Sequence, residues 1–126
     1  MIDFETEGFF ARLKKVDNGD FEKTVSDILI PNETIVSAYK SVRDGVVFTN
    51  KRIITINVQG MTGKKKDFTS IPYNKITTYS VETSGTFDLD AELEIYISAV
   101  GKLKFEFTGR TDVKAICKII SAYALR

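Results

Sequence analysis

The hydrophobic rhythm of this chain changes near Pro31 and holds its new period until Gly109. Before it the apolar residues fall at helical spacing. Phe21, Val25, Ile28 and Leu29 lie at i, i+4, i+7 and i+8, the stripe of a short amphipathic helix. Asp20, after Asn18-Gly19, is the natural N-cap, because a short side-chain oxygen can accept from free backbone N–H groups. Upstream, Phe9, Phe10, Leu13 and Val16 predict another helix, broken by Asn18-Gly19. Pro31 closes the helical region by pushing the residue before it away from α geometry.

From Glu33 the period is two. Seven strand-like runs follow, at 33–42, 46–49, 53–59, 66–72, 76–83, 91–98 and 102–108. The segments between them, such as Arg43-Asp44-Gly45, Asn50-Lys51-Arg52 and Gly60-Met61-Thr62-Gly63, carry the Gly and Asn that tight hairpins require. In the last hairpin Leu93, Ile95 and Ile97 alternate with Glu92, Glu94 and Tyr96, and Leu103, Phe105 and Phe107 with Lys102, Lys104 and Glu106. Each strand then has one buried and one wet face, with acids facing lysines across the pair. A terminal helix follows, capped by Thr111 or Asp112, with the apolar stripe Val113, Ile116, Cys117, Ile120 and Ala124. Short strands without intervening helices imply antiparallel pairing. The expected architecture is a mainly β, seven-stranded antiparallel barrel or sandwich over residues 32–126, closed by a C-terminal helix. An N-terminal helical segment, 1–31, precedes it.

The order of seven antiparallel strands and one amphipathic helix resembles the pleckstrin-homology superfold. The runs Phe48-Thr49-Asn50-Lys51-Arg52-Ile53-Ile54, Gly63-Lys64-Lys65, Ser70-Ile71-Pro72-Tyr73 and Asp88-Leu89-Asp90-Ala91-Glu92-Leu93 are similar to the bacterial pleckstrin-homology-like family. The resemblance spans about residues 33–125 and implies two roughly orthogonal sheets with the helix plugging one open end. It also implies N-terminal helices as a family addition, ring-like homo-oligomers and no known reaction. The first turn of the barrel, Ser41-Val42-Arg43-Asp44-Gly45, lacks the cluster of bases that grips inositol phosphates in eukaryotic members, and the chain has no tryptophan. Phosphoinositide binding does not carry over.

Composition narrows function further. At 126 residues, 43% hydrophobic and 28% charged, the chain has the profile of one globular domain. A net charge of +1 argues against a nucleic-acid binder that neutralises many phosphates. Residues 1–30 hold seven acids against four bases, the remainder ten against fourteen, a modest dipole compatible with head-to-tail association. The start of the chain carries acids rather than a basic leader, and no apolar run is long enough to span a membrane, so the expected location is the cytoplasm.

There is no histidine, which removes the side chain that titrates nearest neutrality and any Ser-His or Cys-His nucleophile. Cys117 falls on the apolar face of the last helix and reads as a core thiol. The acids Asp88, Asp90, Glu92 and Glu94 share one strand face, but a straight strand spreads them too far for calcium, and Lys102 and Lys104 lie opposite. No catalytic residue, metal ligand or cofactor is expected. The interaction reading has the chain partnering itself and other proteins. Strand 33–42 is its candidate open edge, and Phe4, Phe9, Phe10, Phe21, Ile35 and Tyr39 its candidate assembly surface. The alternative reading is a weak contact with anionic lipid or another anionic ligand through Arg43, Lys51, Arg52, Lys64, Lys65 and Lys66.

Overall fold

The computed structural model describes residues 1–85, 90–109 and 111–125. Among these, eight strands and two helices follow in the order β1 (Phe9–Val16), α1 (Gly19–Val25), β2 (Ile35–Lys40), β3 (Gly45–Thr49), β4 (Arg52–Gln59), β5 (Lys65–Pro72), β6 (Thr78–Glu82), β7 (Ala91–Ile97), β8 (Gly101–Phe107) and α2 (Val113–Ala124). A single 3₁₀ turn, Tyr73–Lys75, links β5 to β6. The strands form one sheet in the order β5-β4-β3-β2-β1-β8-β7-β6. The two consecutive strands β5 and β6 therefore lie at its two opposite edges.

The seven predicted strands are all present, with ends moved by at most two residues. The N-terminal helices are not both present. Phe9–Val16 is a strand, parallel to β8 through Phe9–Leu13 and antiparallel to β2 through Lys14–Val16. It stitches the two expected sheets into one. The helical spacing of its apolar residues has another origin. A register shift lies between Phe10 and Leu13, with Arg12 in the left-handed region at φ 56°. One extra residue lets Phe10 and Leu13, three apart, both point into the barrel. Val16 then faces the other side and packs on a second core. An inserted residue and two destinations imitate a helical turn.

The second helix is real but shorter than its stripe. It covers Gly19–Val25, and Ile28 and Leu29 continue the same apolar face from the turn beyond it. Asn18, not Asp20, occupies the cap position, and its amide donates instead to the carbonyls of Ile35 (3.1 Å) and Val36 (3.4 Å), tying α1 to β2.

Two cores result. The larger fills the barrel with Phe10, Leu13, Tyr39, Phe48, Ile53, Leu93, Phe105 and Phe107, all nearly or fully buried. Helix α2 closes this barrel with Val113, Ile116 and Ile120, and Asp112 caps it by accepting from the Ala115 amide at 3.2 Å. The smaller core lies on the outside of β2–β5, where Phe21 and Val25 cover Ala38, Val47, Ile54 and Ile56. All five residues of β3 are buried because both its faces are covered. Gly45 lies directly beneath the Phe21 ring. A Cβ there would come within 2.5 Å of it, so glycine is what lets the ring descend onto the sheet.

Candidate functional site

The bacterial-family run beginning at Phe48 has an internal purpose. Thr49 Oγ accepts from the Lys51 and Arg52 amides at 3.0 Å each, which fixes the β3–β4 turn. Asn50 accepts from the Thr34 amide (2.9 Å) and donates to the Asn32 carbonyl (2.9 Å), locking residues 32–34 to that turn. Arg52 forms a two-pronged pair with Glu33, Nε to Oε2 and Nη2 to Oε1, each 2.9 Å. The Glu33 side chain is wholly buried and also accepts from Thr49 Oγ (2.7 Å) and the Ile30 amide (3.1 Å). Burial alone raises its pKa, but the hydrogen bonds from Arg52, Thr49 and Ile30, with the guanidinium charge, outweigh it and hold the carboxyl below its ordinary value. Arg52 further donates to the Ile28 carbonyl and to Ser70 Oγ, so one guanidinium joins the chain after α1, β4 and β5. The run Ser70-Ile71-Pro72-Tyr73 enters here too, as the Tyr73 hydroxyl donates to the Thr49 carbonyl at 2.7 Å. Burial first, then the nearby Tyr123 and Glu33, raise the pKa of Tyr73, keeping it a donor.

Sequence reasoning grouped Arg52 with the anion contacts and missed Glu33 as its partner. The residues are 19 apart, and only the return of the chain over the β3–β4 turn joins them. The one available signal was an acid just after Pro31-Asn32, at the point where helical rhythm stops.

Topology also divides the remaining bases. In an antiparallel meander the β2–β3 and β4–β5 turns share one end of the sheet and the β3–β4 turn lies at the other. Arg43, Lys64, Lys65 and Lys66 therefore stand together, exposed, while Lys51 is exposed at the opposite end.

The candidate assembly residues are likewise separated. Phe10 and Tyr39 belong to the barrel core and Phe21 to the outer core. Phe4 packs against the barrel core and Ile35 against the outer one, both half-buried. Only Phe9 is well exposed, with Lys104 Nζ 5.8 Å over its ring. Strand 33–42, expected as an open edge, appears as β2 in the sheet interior, paired with β1 on one side and β3 on the other. The edges are β5 and β6.

The outer face of β6–β8 is a charged surface. Glu82, Glu92 and Glu106 stand directly opposite one another across the three strands. Lys104 Nζ reaches Glu92 at 3.1 Å and Lys102 Nζ reaches Glu94 at 3.5 Å, the pairing expected from the alternation. The hydrogen bond and charge of Glu92 raise the Lys104 pKa. Asp90 precedes β7, and Asp88 lies outside the described residues. Among the described residues no group of three or more Cys, Asp or Glu is arranged to hold a metal ion, and no helix is long and apolar enough to cross a membrane. Cys117 is half-exposed rather than a core residue. The helix buries Val113, Ile116 and Ile120, and residue 117 turns to the rim of that stripe.

This bent sheet, closed by a C-terminal helix, has close counterparts. A pleckstrin-homology-domain protein of Shewanella loihica superposes with a TM-score of 0.79 at 42% identity, over 90% of this chain and 98% of that one. The pleckstrin homology domain of Shewanella amazonensis gives a TM-score of 0.67 at 50% identity, over 88% and 90%. Among curated relatives, the uncharacterized protein YjqA of Bacillus subtilis is 39% identical over 94% of this chain and 97% of its own length. The uncharacterized protein YozO of the same organism is 31% identical over 92% and 96%. The family model described as bacterial PH domain matches residues 6–124, which takes in β1 and α1 as well as the barrel. With sheet order, closing helix and sequence in agreement, the chain belongs to the bacterial PH domain family.

Proposed function

We propose that this protein is a non-catalytic, cytoplasmic interaction domain that associates head to tail with copies of itself, as a ring-like homo-oligomer that serves as a scaffold for other proteins. The observation that carries this reading is the strand order. The sheet ends in β5 and β6, and neither pairs with a further strand among the described residues. A strand edge offers unpaired N–H and C=O groups to a neighbouring strand. Because the two edges differ, β5 of one copy meeting β6 of the next is a heterologous contact, and a heterologous contact that closes makes a ring. Charge supports the same pairing, since β5 begins with Lys65-Lys66 and β6 ends in Glu82, all exposed.

The test is native mass spectrometry with light scattering across a wide concentration range. A single defined oligomer, weakened by Glu82→Lys and restored when Lys65→Glu and Lys66→Glu are added, is the expected result. A strict monomer at every concentration overturns the reading.

A further inference from the structure

Two of the runs that resemble the bacterial family, Phe48–Ile54 and Ser70–Tyr73, meet at the end of the sheet away from the β2–β3 and β4–β5 turns. There the β3–β4 turn, the 3₁₀ turn after β5 and the last turn of α2 border a cleft of about 450 Å³, within the size range of small-ligand sites. Its apolar wall is the exposed Pro72 with Tyr73 and Tyr123, whose rings stack at 5.2 Å with 26° between their planes. That wall is held in place. Tyr73 is 2% exposed and its hydroxyl is engaged by the Thr49 carbonyl, so Tyr123 rests on a fixed ring. The polar rim is Asn50, Lys51 and Asn74. The Asn50 side chain is already committed to residues 32 and 34, which leaves the exposed Lys51 ammonium and Asn74 carboxamide to meet a ligand. No carboxylate is among the described residues that line the cleft. Glu33, whose charge reaches Tyr73, is already paired with Arg52.

We infer that this cleft binds a small aromatic carboxylate, with its ring against Tyr123 and Pro72 and its carboxylate on Lys51 Nζ and the Asn74 carboxamide. The donors select a carboxylate over a phosphate. A phosphate is ordinarily received by several N–H groups, many of them from the backbone. Here the Lys51 and Arg52 amides both donate to Thr49 Oγ, which is buried, so the turn keeps its donors for itself. One ammonium and one amide match the two oxygens of a single carboxylate. The stacked wall selects the ring, since aromatic faces pair with another ring in offset or edge contact. A short aliphatic acid would leave most of that wall wet. Binding of this kind requires one copy of the chain, so it stands apart from self-association.

Titration of the isotope-labelled protein with phenylacetate, followed by two-dimensional amide NMR, tests it. Saturable shifts are expected around Lys51, Asn74 and Tyr123, and none around Lys64 at the other end of the sheet. Phenylacetamide keeps the ring without the charge, and acetate keeps the charge without the ring. Each should bind about tenfold more weakly than phenylacetate. Lys51→Ala should weaken phenylacetate about tenfold, as expected for the loss of one charge-assisted hydrogen bond, while Lys64→Ala leaves the affinity unchanged. Tyr123→Leu should weaken it as well. Because Tyr123 also packs on the barrel core, the exposed Lys51→Ala decides the matter if Tyr123→Leu lowers the melting temperature. No saturable shifts, shifts centred elsewhere, equal affinity for acetate or phenylacetamide, or indifference to Lys51→Ala each overturns the proposal. So does displacement of phenylacetate by inorganic phosphate beyond that by chloride at matched ionic strength, which would mark a phosphate site instead.

Discussion

The two halves of the sheet share a barrel core and differ in what lies outside it. On β2–β5 the outer face is apolar and roofed by α1, with Phe21 and Val25 on Ala38, Val47, Ile54 and Ile56. On β6–β8 the outer face is bare and carries Glu82, Glu92, Glu94, Glu106, Lys102 and Lys104. The strand patterns record the difference. β3 is buried at every position, whereas β7 alternates buried and part-exposed along most of its length. A sheet face with no roof must satisfy water, and one with a roof must satisfy the roof. The roof is held by more than apolar contact, since Arg52 reaches from β4 to the Ile28 carbonyl and to Glu33 in the chain just after α1.

Removing the roof's main anchor should have the largest effect. Phe21→Ala takes out a ring that is 7% exposed and is expected to cost about 3–5 kcal/mol by chemical denaturation. A cost below about 1 kcal/mol would mean that α1 contributes little to the covered half. Arg52→Ala should follow at about 3 kcal/mol, because it leaves the Glu33 carboxylate buried without its cation. The lower end of the range applies, since part of the guanidinium reaches solvent.

The same pair sets an acid limit. The Glu33 carboxyl has a folded pKa below its ordinary 4.5. Between those two values the unfolded chain binds more protons than the folded one, so falling pH favours unfolding there. Stability from this group is complete above the ordinary value and is lost as pH drops through the depressed one. Melting curves at descending pH should show that limb, and Glu33→Gln should flatten it while lowering stability at neutral pH. An unaltered limb in the variant would assign acid sensitivity to other carboxylates.

On the bare half the expected effect is smallest. Lys104→Ala removes a solvent-exposed partner of Glu92 and should shift the melting temperature far less than either change above. A shift equal to that of Arg52→Ala would erase the distinction between the halves. Because Lys104 also relieves the row Glu82, Glu92 and Glu106, its effect should grow at low ionic strength.

Much of this was legible before any coordinates. Strand-period alternation located all seven strands after Pro31 and set acids against lysines across the last hairpin, where the structure pairs Glu92 with Lys104 and Glu94 with Lys102. It also located α2 and narrowed its cap to Thr111 or Asp112, of which the structure uses Asp112. These depend on residues close in sequence, where side-chain period and turn chemistry act directly. The first strand was not legible, because the irregularity between Phe10 and Leu13 and the double destination of its side chains gave β1 a helical spacing. Nor was the role of β2. A long strand without proline looks like an open edge, and only the insertion of β1 between β2 and β8 makes it interior. Arg52 and Arg43 look alike in the sequence, yet one is held by a buried carboxylate and the other braces two exposed turns.

By itself, then, the order of residues after Pro31 determined the local conformations, the alternating faces and where α2 is capped, because each follows from neighbours within a few positions of the chain. Which strands lie at the edges, which cations remain free and which sheet face receives a roof were decided by the tertiary structure. Those outcomes depend on partners far apart in the chain, as with the Gly8 carbonyl and the Lys104 amide, brought together only once the sheet has curled and α2 has closed it.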